Sequence, residues 1–351
     1  MRVKRDLAVI LCHFNWCSYN RPVQNLNRFL RQMKTMNIPV YGAEASLTGN
    51  FVTKDFPNWK HIKASENNIA FQKEALLNVA ETIVPEQYTK IAWIDHDLLF
   101  TNLNWYDEAS EALDKLNLIQ LFKDCYWTDI QGNIERHAHA ILSVDNLTNK
   151  HVNYKKYCGY INSQNKLNLQ QPLNLIPDDP LYNAPDEIFA SRYDKSLNET
   201  ITPVYHNIYH CGFAFAANRS LWTSGIKLYP YYLLGGGDVS LIFNVISEDT
   251  DSKNVKQANY QAAQSFEPFL KWTPAFYRYI NKKTGYISGS VYHEYHGSKS
   301  CRKHGVRQKL IDEHNFDLNS NLYLNNGLLE IKDKHFVNVL KQYFESRKED
   351  N

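Results

Sequence analysis

Apolar positions in this chain alternate between short unbroken runs and helical spacing. Leu7-Ala8-Val9-Ile10-Leu11-Cys12 is continuously apolar, the pattern of a strand covered on both faces, as in a parallel sheet. The polar stretch His13 to Asn20 reads as a loop. Val23, Leu26, Leu30 and Met33 then recur at helical spacing, with Pro22 near the start and Asn37 and Pro39 beyond, which predicts a helix over about residues 21–36. Residues 38–41 begin a second strand, Ser65 to Val84 reads as a second helix between a Ser65 cap and Pro85, and Ile91-Ala92-Trp93-Ile94 reads as the next strand. A helix near Trp105–Leu116 and a strand at Leu118–Phe122 continue the alternation.

That alternation predicts an α/β fold: right-handed crossovers and a mainly parallel, Rossmann-like central sheet flanked by helices, with a ligand crevice beyond the carboxyl ends of the strands. Asp95 and Asp97 fall at such an end. From about 145 to 205 the chain is rich in Asn, Gln, Tyr and Pro with little periodicity, so this insertion reads either as an acceptor-side lid or as surface elaboration. Regular structure resumes at Cys211–Ala217, at a Gly235-Gly236-Gly237-Asp238 turn into the helix Val239 to Ile246, and at a strand ending near Tyr292. A last helix over about 333–346 puts Phe336, Val337, Leu340, Tyr343 and Phe344 on one face. The expected organisation is one catalytic domain over 1–330 and a C-terminal amphipathic helix and tail over 331–351.

Composition narrows the picture modestly. The chain has 351 residues, 43% hydrophobic and 22% charged, ordinary values for a globular protein. Thirty-nine Lys and Arg against 37 Asp and Glu leave a formal charge of +2, which neither demands nor excludes a polyanionic partner. Six cysteines without a C-x-x-C pair, and an N-terminal apolar run too short for a signal peptide or a membrane span, point to a reducing cytoplasm. Aromatic residues reach 13%, and sugar sites use aromatic faces against C–H surfaces.

Three polar constellations carry the chemistry. In Asp95-His96-Asp97, two carboxylates leave an apolar strand together, an arrangement that suits Mg²⁺ or Mn²⁺ bridging diphosphate oxygens. An acidic turn is the plainer alternative. In Gly235-Gly236-Gly237-Asp238 the glycines allow close backbone approach, and Asp238 is either a general base for an acceptor hydroxyl or a helix N-cap. In His293-Glu294-Tyr295-His296 two imidazoles stand three residues apart, able to complete a metal site, and Lys299 and Arg302 follow with phosphate-binding chemistry or as a solvated basic face. His137-x-His139 and His206 with His210 lack Cys or carboxylate partners at familiar zinc spacings and read as core or surface histidines.

The order of these blocks resembles a family. Phe14-Asn15 with Arg21-Pro22-Val23-Gln24-Asn25-Leu26, Glu44, Gln72-Lys73-Glu74-Ala75-Leu76-Leu77-Asn78, Trp93-Ile94-Asp95-His96-Asp97, His210-Cys211-Gly212-Phe213, Gly235-Gly236-Gly237-Asp238 and His293-Glu294-Tyr295-His296-Gly297 stand in order, followed by Phe316-Asp317 and Asn326-Gly327-Leu328. Together they resemble the GT-A-fold glycosyltransferases, in a group common in bacteriophages, large viruses and bacteria. The resemblance implies that Asp97 and His296, with His293 beside them, hold Mn²⁺ or Mg²⁺, that Asp95 meets the metal or the donor ribose, and that Asp238 is the base. It implies a nucleoside-diphosphate sugar donor, UDP-linked, met by Phe14, Asn15, Arg21, Glu44, Gln72, Lys73, Gly236, Gly237, Lys299 and Arg302. The acceptor it suggests is a hydroxymethylated pyrimidine in phage DNA or a surface glycan or protein, in the host cytoplasm. His96 departs from the pattern, since many relatives carry a small residue there. The competing readings are a sugar nucleotidyltransferase and a non-catalytic carbohydrate-binding protein.

Overall fold

Strand β1 (Leu7–Phe14) shows how the chain organises itself. Leu7, Val9 and Leu11 point into one apolar cluster, with Leu26, Phe29 and Met33 of helix α1 (Asn20–Thr35). Ala8 and Ile10 point into another, with Ala75, Leu76 and Leu77 of helix α2 (Lys73–Glu81). Successive side chains on a strand take opposite faces, so a strand sandwiched between helices must be apolar at every position. The computed structural model in which this is seen describes residues 5–144, 158–160, 205–246, 267–303 and 307–351.

The central sheet has seven strands in the order β12 (Thr284–Tyr286), β6 (Leu118–Gln120), β11 (Ala214–Asn218), β4 (Lys90–Ile94), β1, β2 (Val40–Ser46) and β3 (Trp59–Lys63). β11 is antiparallel to both its neighbours, and every other pairing is parallel. The α/β class and the mainly parallel sheet flanked by helices are therefore as expected. From β1 the chain moves outward to β2 and β3, then returns to β4 on the other side of β1. The carboxyl ends of β1 and β4 thus flank a topological switch point, where a crevice must open.

A second sheet of six strands, in the order β5 (Leu98–Phe100), β13 (Ser290–His293), β7 (Asp124–Thr128), β8 (Ile134–Ala140), β10 (Tyr205–His210) and β9 (Cys158–Tyr160), lies against this crevice. A hairpin of β14 (Leu322–Asn325) and β15 (Leu328–Ile331) completes the strands. Further helices are α3 (Trp105–Leu113), α4 (Gly237–Ile246), α5 (Glu267–Ile280) and α6 (Lys334–Ser346). Asp333 caps α6 by accepting from the backbone N–H of His335 and Phe336, and Phe336, Val337, Leu340, Tyr343 and Phe344 join the same apolar cluster as α2. No described helix is long and apolar enough to cross a membrane.

Two expectations need correction. β1 runs on through His13 and Phe14, which pair with Glu44 and Ala45 of β2, so the loop after it starts later than the polar sequence suggested. The helix expected from Ser65 to Val84 is split into a 3₁₀ turn, Glu66–Asn68, and α2. The break has a physical cause. The Asn68 side chain accepts from the N–H and hydroxyl of Ser65, and both Asn68 and Gln72 donate to the carbonyl oxygen of Leu329 in β15. The lid or insertion expected over 145–205 lies outside the described residues, apart from Cys158–Tyr160 and Tyr205.

Gln72 is wholly buried, and its amide also donates to Asn68 and accepts from the N–H of Leu329 at 2.8 Å. Gln72→Ala strands the buried N–H of Leu329, at a cost on the order of 1–3 kcal/mol, while the Leu329 carbonyl keeps its bond from Asn68. Denaturant unfolding of this variant should show a loss of about 2 kcal/mol, whereas a loss within about 0.5 kcal/mol would mean that the amide does not hold β15 to α2.

Candidate active site

The acidic motif sits where the chain leaves one sheet for the other. β4 belongs to the central sheet and β5 to the second, with residues 95–97 forming the turn between them. Asp95 stays with the first sheet, its N–H donating to the Phe213 carbonyl at 2.8 Å. Asp97 belongs to the second, its carbonyl accepting from the N–H of Glu294 at 2.8 Å, just beyond β13. Two carboxylates adjacent in sequence therefore serve two different centres.

Asp97 builds the first centre. Its Oδ2 lies 3.0 Å from His296 Nε2 and 3.4 Å from His293 Nε2, and the two Nε2 atoms are 3.2 Å apart. The strand β13 delivers His293, and the tight turn at Gly297 (φ 98°) follows His296. At Gly297 a Cβ would stand 3.0 Å from the Glu349 backbone. Arg28 of α1 forms a buried ion pair with Glu294 and so anchors this segment from below.

Charge states in this centre favour a cation. Burial, with Arg302 nearby, pushes the His296 imidazole down to about 4, so it is neutral at pH 7 with a lone pair to give. Burial opposes ionisation of Asp97, yet its electrostatic and hydrogen-bond contacts with His293 and His296 hold it well below the usual carboxylate range. Asp97 Oδ1 is buried without a partner. A carboxylate and two imidazoles converging within 4.8 Å suit a divalent ion that accepts nitrogen as well as oxygen ligands, which Mn²⁺ does more readily than Mg²⁺.

Lys73 builds the second centre. Its Nζ lies 2.6 Å from Asp95 Oδ1 and 3.0 and 3.3 Å from the two oxygens of Asp238, the second residue of α4. Glu74 lies close beneath, and a Cβ on Gly237 would fall 2.1 Å from its Oε1, so a side chain there would force Glu74 and Tyr232 to shift. Burial raises Glu74 to about 8 and Asp95 to about 7, in each case against the pull of Lys73. Despite its own burial, Lys73 is held well above its usual value by Asp238, Asp95 and Glu74. Asp95, expected at the metal or the donor ribose, is bonded to Lys73 and lies outside the Asp97–His293–His296 group.

Other expected residues divide between site and scaffold. Arg302 acts on Asp97 and His296, burial brings it down to about 10, and its Nε is buried without a partner, as is that of Arg307. Arg307 and Arg347 lie over the Phe71 ring at 5.0 and 5.1 Å. Phe14 packs on Trp16 and Phe71, while Asn15 closes its own loop through two hydrogen bonds with Tyr19. The N–H of Arg21 donates to Asp350, whose carboxylate caps α1 from the C-terminal tail. Gly235 and Gly236 hold positive φ in the turn before α4. Lys299 opens the four-residue helix Lys299–Arg302, and its side chain lies outside the described residues.

Two residues expected at the donor are hydrogen-bonded within the fold. Glu44 accepts from the N–H groups of Val52 and Thr53 and from the Thr53 hydroxyl, fixing the loop after β2, and Gln72 spends its amide on β15. Polar residues beside a strand end look alike in sequence whether they face a ligand or a loop.

The structure adds residues that sequence reasoning passed over. Phe213 holds φ 84°, a region costly for a side-chain-bearing residue, and its ring stacks on His293 at 4.8 Å and lies 4.0 Å from the His210 ring. Both ring nitrogens of His210 are buried without partners, and a Cβ on Gly212 would stand 2.7 Å from Asp238 Oδ2 and 3.1 Å from His210 Nε2. His13 and His96 meet across the switch point at 3.5 Å. The His210-Cys211-Gly212-Phe213 block was the available signal, since it precedes β11 beside β4.

No protein-family model matches this chain, and no curated protein does. Among solved structures, the catalytic domain of Drosophila β1,4-galactosyltransferase 7, in complex with xylobiose, is similar at 11% identity over 96% of this chain and 98% of that one, with a TM-score of 0.36. Mannose-1-phosphate geranyltransferase from Thermus thermophilus is similar at 11% identity over 82% and 74%, with a TM-score of 0.27. The chemistry below is read from the side chains alone.

Glu74 gives this site a signature in stability. Its folded-state value of about 8 lies above its ordinary 4.5, so the folded state holds the proton more tightly and stability is lost as pH rises through that window. Glu74→Gln removes the titration. The variant should gain on the parent from pH 5 to 8, with a slope no steeper than about 1.4 kcal/mol per pH unit. Parallel curves in denaturant unfolding across this range would show Glu74 to be ionised throughout.

Proposed function

We propose that this chain is a divalent-metal-dependent glycosyltransferase that moves a sugar from a nucleoside diphosphate to an acceptor hydroxyl. The observation that carries this reading is the convergence of Asp97, His293 and His296 beside the Lys73–Asp238 pair at the switch point of the sheet. A bound Mn²⁺-class ion supplies charge that stabilises the departing diphosphate. Asp97 and neutral His296, with His293, would hold that ion, and the guanidinium of Arg302, whose Nε–H has no partner, would add positive charge for the phosphates.

Asp238 takes the acceptor proton. An acceptor hydroxyl would compete with Lys73 for a carboxylate oxygen of Asp238. Lys73 keeps Asp238 oriented from the opposite side and ties it to Asp95, which faces the donor ribose. The proton passes from hydroxyl to Asp238 as the oxygen bonds to the anomeric carbon and the diphosphate leaves.

Thermal unfolding with nucleoside diphosphates, with and without Mn²⁺, tests this. The parent and Asp238→Asn should be stabilised only when both are present, by about 3 kcal/mol at a hundredfold excess over Kd, and Asp97→Ala should not respond. Asp238→Asn should lose roughly 10²–10⁴ in kcat. Absence of any nucleotide response overturns the reading, and release of pyrophosphate from a nucleoside triphosphate and a sugar phosphate replaces it with a nucleotidyltransferase. For a hydroxymethylated DNA acceptor, duplex binding should weaken steeply with salt, and salt-independent or absent binding leaves glycan or protein hydroxyls.

A further inference from the structure

The second sheet carries another group of metal-ligating side chains, away from the centre described above. Asp124 opens β7 and pairs with His139 of β8, while His137, two residues back along β8, pairs with Tyr126. Residues paired across strands share a face, and residues two apart along a strand share it too, so all three side chains lie on one face. His293 pairs with Trp127, the odd neighbour, and therefore lies on the opposite face. Along the strand, Trp127 is three residues beyond Asp124, a separation of about 10 Å.

The three groups converge on one point. Asp124 Oδ1 lies 3.0 Å from His137 Nε2 and 2.6 Å from His139 Nδ1, and the ligand atoms all stand within 4.8 Å of one another. The two imidazole rings are nearly perpendicular, at 85° and 4.8 Å, so their nitrogens reach the carboxylate from different directions. In a tetrahedral zinc site, neighbouring ligand atoms lie roughly 3.3 Å apart. Both observed separations are short of that by well under 1 Å.

Each ligand is held or freed as such a site needs. The buried His137 ring stacks on Tyr126 at 4.7 Å and 23°, and Tyr126 stacks on Tyr292 at 5.1 Å and 22°, which fixes its orientation across three strands. His139 is 46% exposed, so it can give way by the required fraction of an ångström and leaves the site open to solvent. The carboxylate is ionised at neutral pH, because the hydrogen bonds and charges of both histidines hold it below its ordinary range against partial burial.

We propose that Asp124, His137 and His139 form a second metal site, for a zinc-class transition ion, with the remaining tetrahedral position left to solvent. Two imidazoles and one carboxylate are the donor set that such ions favour and that Mg²⁺ and Ca²⁺ do not. The ion would cross-link β7 to β8 and stabilise the hairpin that places Trp127 against His293.

Co²⁺ serves as the probe, read by equilibrium dialysis and by the intense visible absorption of tetrahedral Co²⁺. The full-length His296→Ala protein, in which the first centre is disabled, should bind one equivalent, displaced by Zn²⁺. That equivalent should vanish in His296→Ala/Asp124→Asn and in His296→Ala/His139→Gln, with far-UV circular dichroism unchanged. The half-exposed His139 makes the second variant a substitution the fold tolerates. Absence of bound Co²⁺ in His296→Ala, or its retention in either double variant, overturns the proposal. Because the readout is stoichiometry without nucleotide or turnover, it stands or falls separately from the sugar-transfer reading.

Discussion

One ammonium group holds the crevice together electrically. Lys73 lies against Asp95 and Asp238 and acts on Glu74, three carboxyls in a space where water is scarce. Burying an uncompensated carboxylate costs several kcal/mol, and such a group takes up a proton instead. With one cation among three acids, the result is graded. Asp95 and Glu74 are driven up to about 7 and 8, while Lys73 stays firmly charged. Lys73 occupies this position because it is the first residue of α2, and α2 starts there because Gln72, immediately before it, is bonded to both backbone groups of Leu329. The scaffold contact and the charge centre are consecutive residues.

The second consequence concerns the turn between β4 and β5. In a continuous strand Asp95 and Asp97 would share a face and could share a metal. Here the chain changes sheets between them, so each carboxylate follows its own backbone partner, Phe213 for the first and Glu294 for the second. The division separates a lysine-bridged pair of carboxylates from a carboxylate with two imidazoles. Both centres open at the switch point, which the order β3-β2-β1-β4 creates.

Much of this was legible in the chain. The unbroken apolar run of β1, the helical spacing of α1 and the apolar face of α6 report burial, and burial is what periodicity encodes. Local motifs also singled out Asp97, His293, His296 and Asp238, and the fold gathers the first three within 4.8 Å and sets Asp238 against Lys73. What escaped depends on distant partners. The break before α2 is made by Leu329, and the second half of the Lys73 bridge comes from Asp238. The His137–His139 pair looked partnerless because its carboxylate, Asp124, comes from the antiparallel neighbour strand, a spacing that no short motif contains. The hydrogen bonds of Glu44 to the loop after β2 and of Gln72 to β15 were likewise not legible, because a polar side chain that closes a loop and one that meets a substrate have the same local signature.

Phe213 shows how the two centres are tied. Its backbone carbonyl accepts from Asp95, which belongs to the lysine centre, and its ring stacks on His293, which belongs to the imidazole centre. Both contacts require the chain to turn sharply just before β11, and the positive φ at Phe213 is that turn. Glycine would relieve the strain, of order 1–3 kcal/mol, but would lose the ring. That ring is buried against Phe122, Trp127, His210 and His293, and burying an aromatic side chain contributes about as much as the strain costs or more. The strained backbone therefore persists because one side chain aligns the His293 imidazole while its own peptide group fixes Asp95, two residues from Asp97.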